Sequence, residues 1–341
     1  MSAPNIYRYS HTIGFYAQVG RGFNNPVDIG LGTDGMLYVV NRAGAEVELR
    51  MPYKRVTMCT VEEDYLGDFG SGGRGDGQLM WPVGIAIDPE GQVYISDEAL
   101  QRISIYDQRG KYLGKWGVQG CGDGQFDRPA GLAFDPEGNL LVVDGLNHRI
   151  QTYTKDGKFL GSWGRKGRSD GELHFPWGIA VDPIGNVLVA DWRNDRIQKF
   201  DAQGRYLAGF GRSGRGDGEF QRPAGVAVDQ QGAIYVADWG NHRIQVLSPD
   251  GTFQAQFHGE AGLSKWAQDY FIANQDELEE RHKADLEPSL SLSAADDPRE
   301  TSANIEKLFW GPTAVKVDGL GRIYVVDSCR HRVQVYRRET L

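Results

Sequence analysis

Apolar runs of five or six residues recur along this chain between Gly, Asp and Pro turns, and they recur in phase. The segments Trp81-Pro82-Val83-Gly84-Ile85-Ala86, Arg128-Pro129-Ala130-Gly131-Leu132-Ala133, Phe175-Pro176-Trp177-Gly178-Ile179-Ala180 and Arg222-Pro223-Ala224-Gly225-Val226-Ala227 are spaced by 47 residues. After each come an Asp-x-x-Gly turn, an apolar run ending in Asp, and a basic residue followed by Ile. Asp97, Asp144, Asp191 and Asp238 keep the step, as do Arg102, Arg149, Arg196 and Arg243. A period of this size marks a repeat architecture, in which stacked units bury the apolar faces that none can bury alone.

Two further copies emerge once insertions are allowed. The first begins at Pro26, has Gly35 at its turn and carries Asn41 in place of Asp. It lies 56 residues before Pro82, and the nine extra residues fall between Asn41 and Arg55. The last begins at Pro312 and carries Asp318, Gly321, Asp327 and Arg332-Val333. It lies 89 residues after Pro223, with 42 added between Gly259 and Trp310. The total is six repeats.

Each repeat reads as four strands. Residues 180–190 are strand, Asp-Gly turn, strand; Arg196-Ile197-Gln198-Lys199-Phe200 alternates with period two; Tyr206-Leu207-Ala208-Gly209-Phe210 follows a second turn. The pattern predicts an all-β, six-bladed β-propeller of four-stranded antiparallel blades. The last repeat stops at its third strand, Val333-Gln334-Val335-Tyr336. Residues 6–13, strand-like and ahead of the first repeat, are expected to complete that blade and remove an open edge.

Asn241-His242-Arg243-Ile244 and Asn147-His148-Arg149-Ile150 resemble the NHL-repeat family, named for an Asn-His-Leu triplet. The resemblance spans nearly the whole chain outside the long insertion. It implies one propeller domain over residues 1–341 and says little about activity.

Charge changes the picture at one place. The chain carries −9, but residues 260–308 hold 12 Asp and Glu against 5 Lys and Arg, so the blades are nearly neutral. Within that insertion Ser264 is placed to cap a helix running to about Ala284, with Trp266, Ala267, Tyr270, Phe271, Asn274 and Leu278 on one face. Residues 289–301 read as loop. The helix is read either as a rim element packed on the propeller or as a partner-binding element or lid. No run of about 18 apolar residues suggests a membrane span. Cys59, Cys121 and Cys329 fall at unrelated repeat positions and read as reduced thiols, so a cytoplasmic location is expected.

Antiparallel alternation puts inter-blade links and second-to-third-strand links on one face. Both insertions, 43–53 and 260–308, belong to such links and are expected to project together. The channel mouth on that face is ringed by residues beside each repeat proline, among them Asn25, Val27, Ala224 and Thr313. The candidate partner- or ligand-binding residues are Trp81, Arg128, His174, Trp177, Trp192, Arg222, Trp239, Trp266, Tyr270 and Trp310, since aromatic and arginine side chains dominate binding hot spots. Trp81, Phe175 and Trp310 are alternatively read as wedges between blades. The repeated Asp and Arg residues are read as structural pairs, the Gly-Asp-Gly segments as turns, and His148, His242 and His331 as motif positions.

Catalytic relatives implied by the resemblance include an amidating lyase with zinc on histidines after the repeat proline. Here those positions hold Val27, Val83, Ala130, Trp177, Ala224 and Thr313, leaving only nearby His174. A lactonase-type calcium site would have only Asn24, Asn25 and Asp127. No catalytic residue, metal or cofactor is therefore assigned. The expectation is a non-catalytic scaffold that docks a protein through the insertion-bearing face. A hydrolase or lyase at the channel mouth, acting on a small molecule, and an RNA-binding propeller are the alternatives, the latter disfavoured by the net charge.

Overall fold

Strand pairing in the computed structural model, which describes residues 5–43, 53–289 and 297–340, follows the repeat. In blade 1, Pro26–Leu31, Met36–Asn41, Arg55–Thr60 and Tyr65–Phe69 pair in that order as one antiparallel sheet. Blades 2 to 5 repeat the order, their first strands starting at Pro82, Pro129, Ile179 and Pro223. Blade 6 uses Pro312–Val317, Arg322–Asp327 and Arg332–Thr340, and its outermost strand is Asn5–Ile13. Asn5 faces Thr340 and Ile13 faces Val333, so the two ends of the chain close the ring.

Burial explains the residue pattern of each strand. The second strands Val93–Asp97, Leu140–Asp144, Val187–Asp191 and Ile234–Asp238 are buried along their whole length, because neighbouring blades cover both faces. Outer strands such as Tyr112–Trp116 alternate between half-buried and exposed positions, as expected at a perimeter.

The innermost strands nearly fill the channel. A Cβ on Gly84 would lie 2.4 Å from the Ala130 carbonyl oxygen, and one on Gly178 would lie 2.5 Å from that of Ala224. Side chains are excluded there, and the waist narrows to a cavity of ≈ 30 Å³. Blade 1 breaks this pattern with Asp28 in the glycine position. Lys316, which replaces the alanine found at Ala86 and Ala227, reaches it with Nζ 3.6 Å from Oδ1.

The repeated acid and base pairs tie strands to links. Asp238 accepts the Gln221 N–H at 2.7 Å and the Arg243 Nε–H at 2.8 Å, while Arg243 also donates to the carbonyls of Gly216 and Glu219. Asp144 with Arg149 and Asp191 with Arg196 repeat the arrangement.

The long insertion divides its contacts. Ser264 caps α1 (Lys265–Ala273), its hydroxyl accepting the Ala267 N–H at 3.1 Å. The helix expected to continue to Ala284 breaks at Asn274, and α2 (Gln275–Lys283) follows it. α1 packs at the outer rim, where Trp266 donates Nε1–H to the Glu63 carbonyl and meets Phe23 and Tyr65. α3 (Pro298–Asn304) lies instead against the turn Trp239–Asn241, and Arg330 donates to the Ser302 carbonyl at 2.7 Å. Of the shorter insertion, residues 44–52 lie outside the described residues. Among the described residues no helix is long and apolar enough to cross a membrane. Cys59 is buried, Cys121 exposed and Cys329 intermediate, and all three are free thiols.

Candidate functional site

Three tryptophans arrive at the channel mouth by two routes. Trp177 stands on the innermost side of blade 4, directly after the repeat proline. Trp192 and Trp239 open the short 3-10 turns Trp192–Asn194 and Trp239–Asn241, which carry blades 4 and 5 from second to third strand. Those turns and the inter-blade links share one face, so the three indoles converge. With Asn25, Arg42 and Thr313 they line an open cavity of ≈ 300 Å³.

The aromatic wall is continuous. Ring centroids of Phe175 and Trp177 lie 5.7 Å apart, those of Phe175 and Trp192 5.6 Å, and those of Trp192 and Trp239 6.4 Å. Guanidinium groups cover its outer side: Arg222 sits 5.0 Å from the Trp192 ring, and Arg193 5.6 Å from Phe175. Such contacts are worth roughly 0.5–1 kcal/mol each at exposed sites. Thr313 Oγ1 is buried at this mouth and has no hydrogen-bond partner among the described residues.

A second relationship holds the mouth rigid. The 3-10 turns of blades 4, 5 and 6 end in left-handed residues, Asp195, His242 and His331, with φ of 53° or 54°. Gln101 and His148 share that conformation in blades 2 and 3. Each of the five turns a side-chain acceptor to the next blade, onto the backbone N–H of the residue before its proline. The distances are 2.7 Å for Gln101 with Arg128, 2.9 Å for His148 with Phe175, and 2.7 Å for Asp195 with Arg222. His242 with Gly311 and His331 with Asn25 both measure 3.0 Å. The receiving residues Asn25, Arg128, Phe175 and Arg222 are themselves left-handed, with φ between 47° and 57°. That backbone is strained before a proline and is held by the bond it receives. Blade 1 differs because its second-to-third-strand link carries the nine-residue insertion. There Arg42 crosses the seam, pairing with Glu98 at 2.8 Å and lying 5.2 Å from the Trp81 ring.

The remaining candidates separate. His174 flanks the mouth, its ring 5.6 Å from that of His148. Partial burial, then Arg193, Lys166 and Arg168, holds His174 below the usual imidazole range. Arg128 is exposed, and Trp310 lies under Arg330 at 5.7 Å. Trp266, only 2 % exposed, spends its ring and N–H on packing at the rim. Tyr270 stands beside it, exposed at the rim and 5.8 Å from Phe15. Sequence reasoning missed Arg42 as a cavity residue and Arg193 as a cation stacked on the aromatic wall. Arg193 directly follows Trp192, which was the available signal.

The chain matches the family model of the NHL repeat over residues 126–153, 173–200, 220–247 and 309–336, in blades 3 to 6. No curated protein matches it in sequence. In fold it is similar to a catalytically inactive virginiamycin B lyase from Staphylococcus aureus solved with quinupristin, at 13% identity, TM-score 0.57 and 99% coverage of both chains. It is likewise similar to a streptogramin B lyase, at 12% identity, TM-score 0.56 and 98% coverage of both. A Bacteroides thetaiotaomicron protein of unknown function aligns at 15% identity and TM-score 0.65, over 98% of this chain and 76% of the other.

Proposed function

The chain is an NHL-repeat propeller, and we propose that it works as a non-catalytic scaffold holding a partner protein on the face that carries its inter-blade links. One observation carries this reading: Trp177, Trp192 and Trp239 wall a single open cavity, with arginines stacked on its margin. Large amphipathic rings and guanidinium groups around a pocket are what concentrates binding energy at protein interfaces. The latched blades supply the rigidity, so little ordering entropy is spent on docking. α3 borders Trp239 and extends the surface beyond the cavity.

A photo-crosslinking amino acid placed at Arg193 tests the proposal, with Ile184 as control. Arg193 stacks on the rings of Phe175 and Trp192 in the aromatic wall, whereas Ile184 is 83 % exposed on a turn of the opposite face. A discrete protein adduct from position 193 alone supports docking on this face. Equal labelling from both positions, or none from 193, contradicts it. The fold shared with virginiamycin B lyase supports a second reading, since a cavity of ≈ 300 Å³ is of small-molecule size. Turnover of a compound lost on Trp192→Ala would favour that reading.

A further inference from the structure

Resting on that docking reading, we infer that the tryptophan cavity takes an acidic peptide segment of the partner, anchored by one aromatic or large aliphatic side chain. The anchor follows from shape and chemistry. A cavity of ≈ 300 Å³ walled by three indoles suits a single large apolar group. Thr313 lines the same mouth, and its buried Oγ1 has no hydrogen-bond partner among the described residues.

The charge follows from what surrounds the cavity. None of Arg128, Arg193 and Arg222 pairs with a carboxylate among the described residues, and all three stand on this face. His148 is held below the usual range by burial, then by His174, Lys166 and Arg193. Guanidinium groups that already stack on Trp192 keep their N–H edges free, in the fork geometry that carboxylates accept. Of the acid-rich insertion, α1 packs at the outer rim against blade 1, while α3 lies against the Trp239–Asn241 turn of blade 5. Arg193 and Arg222 flank Trp192 on the blade 4 side of the cavity, and that side is the favourable one for an acidic segment to approach.

Nucleic acid meets the same aromatic and cationic groups but fits less well. The chain carries −9, and the link arginines Arg165 and Arg212 are neutralised by Glu172 and Glu219 at 3.1 and 2.9 Å. A sequence-independent RNA binder needs those charges free for phosphates.

The test uses the full chain and fluorescein-labelled five-residue peptides, followed by anisotropy. One probe carries Trp between two pairs of Glu, a second replaces Trp by Ala, and a third replaces Glu by Lys. A labelled ten-residue oligouridine is run beside them. Binding of the first probe, weakened about tenfold or more in the second and third, is the expected result. Arg193→Glu with Arg222→Glu should abolish it, and the Lys-flanked probe should then gain; matched thermal transitions show that this variant is folded. Equal binding of the Glu- and Lys-flanked probes, or preference for the oligouridine, would overturn the inference. Crosslinking from position 193 that persists alongside that result would leave the docking reading standing. Loss of both would remove the two together.

Discussion

His331 Nδ1, in the last blade, accepts the backbone N–H of Asn25, which leads into the first, at 3.0 Å. The bond joins positions 306 residues apart and closes the ring on the channel-mouth face, while the strand pairing of Asn5–Ile13 closes it at the perimeter. The same acceptor position serves five of the six seams, so the site's rigidity and the fold's closure share one device.

That device is sensitive to acid. An imidazole accepting at Nδ1 must be unprotonated there, and burial pushes His331 and His242 each down to about 4. Their unfolded value is about 6.5, so their stabilisation is complete above that pH and declines as pH falls toward 4. The slope is about 1.4 kcal/mol per pH unit for each proton taken up on unfolding. His331→Gln keeps an acceptor, as Gln101 does at its own seam. Urea unfolding should therefore show the variant losing less stability than the parent between pH 7 and 5. Parallel losses would refute the role given to His331.

The channel waist supplies a second prediction. Lys316→Met leaves Asp28 buried without its ammonium, which should cost about 3–5 kcal/mol. Asp28→Gly with Lys316→Ala restores the pair found between blades 3 and 2, Gly131 with Ala86, and should cost clearly less than the two single changes added. Denaturation of the four proteins gives the coupling directly. Strict additivity would mean that the 3.6 Å approach carries no interaction.

Closure by the N-terminal strand predicts a contrast between two aliphatic sites. Ile13 is 0 % exposed, in the core shared by blades 6 and 1, whereas Leu320 is 81 % exposed on a turn. Ile13→Ala should cost about 2–5 kcal/mol, and Leu320→Ala no more than about 0.5 kcal/mol. Comparable effects in thermal unfolding would argue against the strand as a structural closure.

Trp266 tests the division of the long insertion. Trp266→Ala should free α1 from the rim, seen as new proteolytic cleavage near residues 264–274, while crosslinking from position 193 persists. Loss of crosslinking in a folded variant would place the rim helix in the docking surface.

Much of this was legible in the sequence because a repeat states each instruction several times. The prolines at 82, 129, 176 and 223, the Asp-x-x-Gly turns and the Asp–Arg pairs fixed blade number and phase, and the missing fourth strand of the last repeat pointed to residues 6–13. Trp177, Trp192 and Trp239 could be assigned to one face, though their meeting depends on ring curvature, which spacing does not contain. The seam latch was hidden because Gln101, His148 and Asp195 share no chemistry beyond an acceptor atom; what unites them is a left-handed backbone. The place of α1 was hidden for another reason. Its anchor, the Glu63 carbonyl, lies 203 residues from Trp266 and belongs to no motif.

Recruitment of a partner protein by the tryptophan cavity is tested by quantitative co-purification from native cells, comparing the intact chain with a folded Trp192→Ala/Trp239→Ala variant. Depletion of one or a few proteins by about tenfold or more in the variant is the predicted result. An unchanged set of co-purifying proteins would contradict the account.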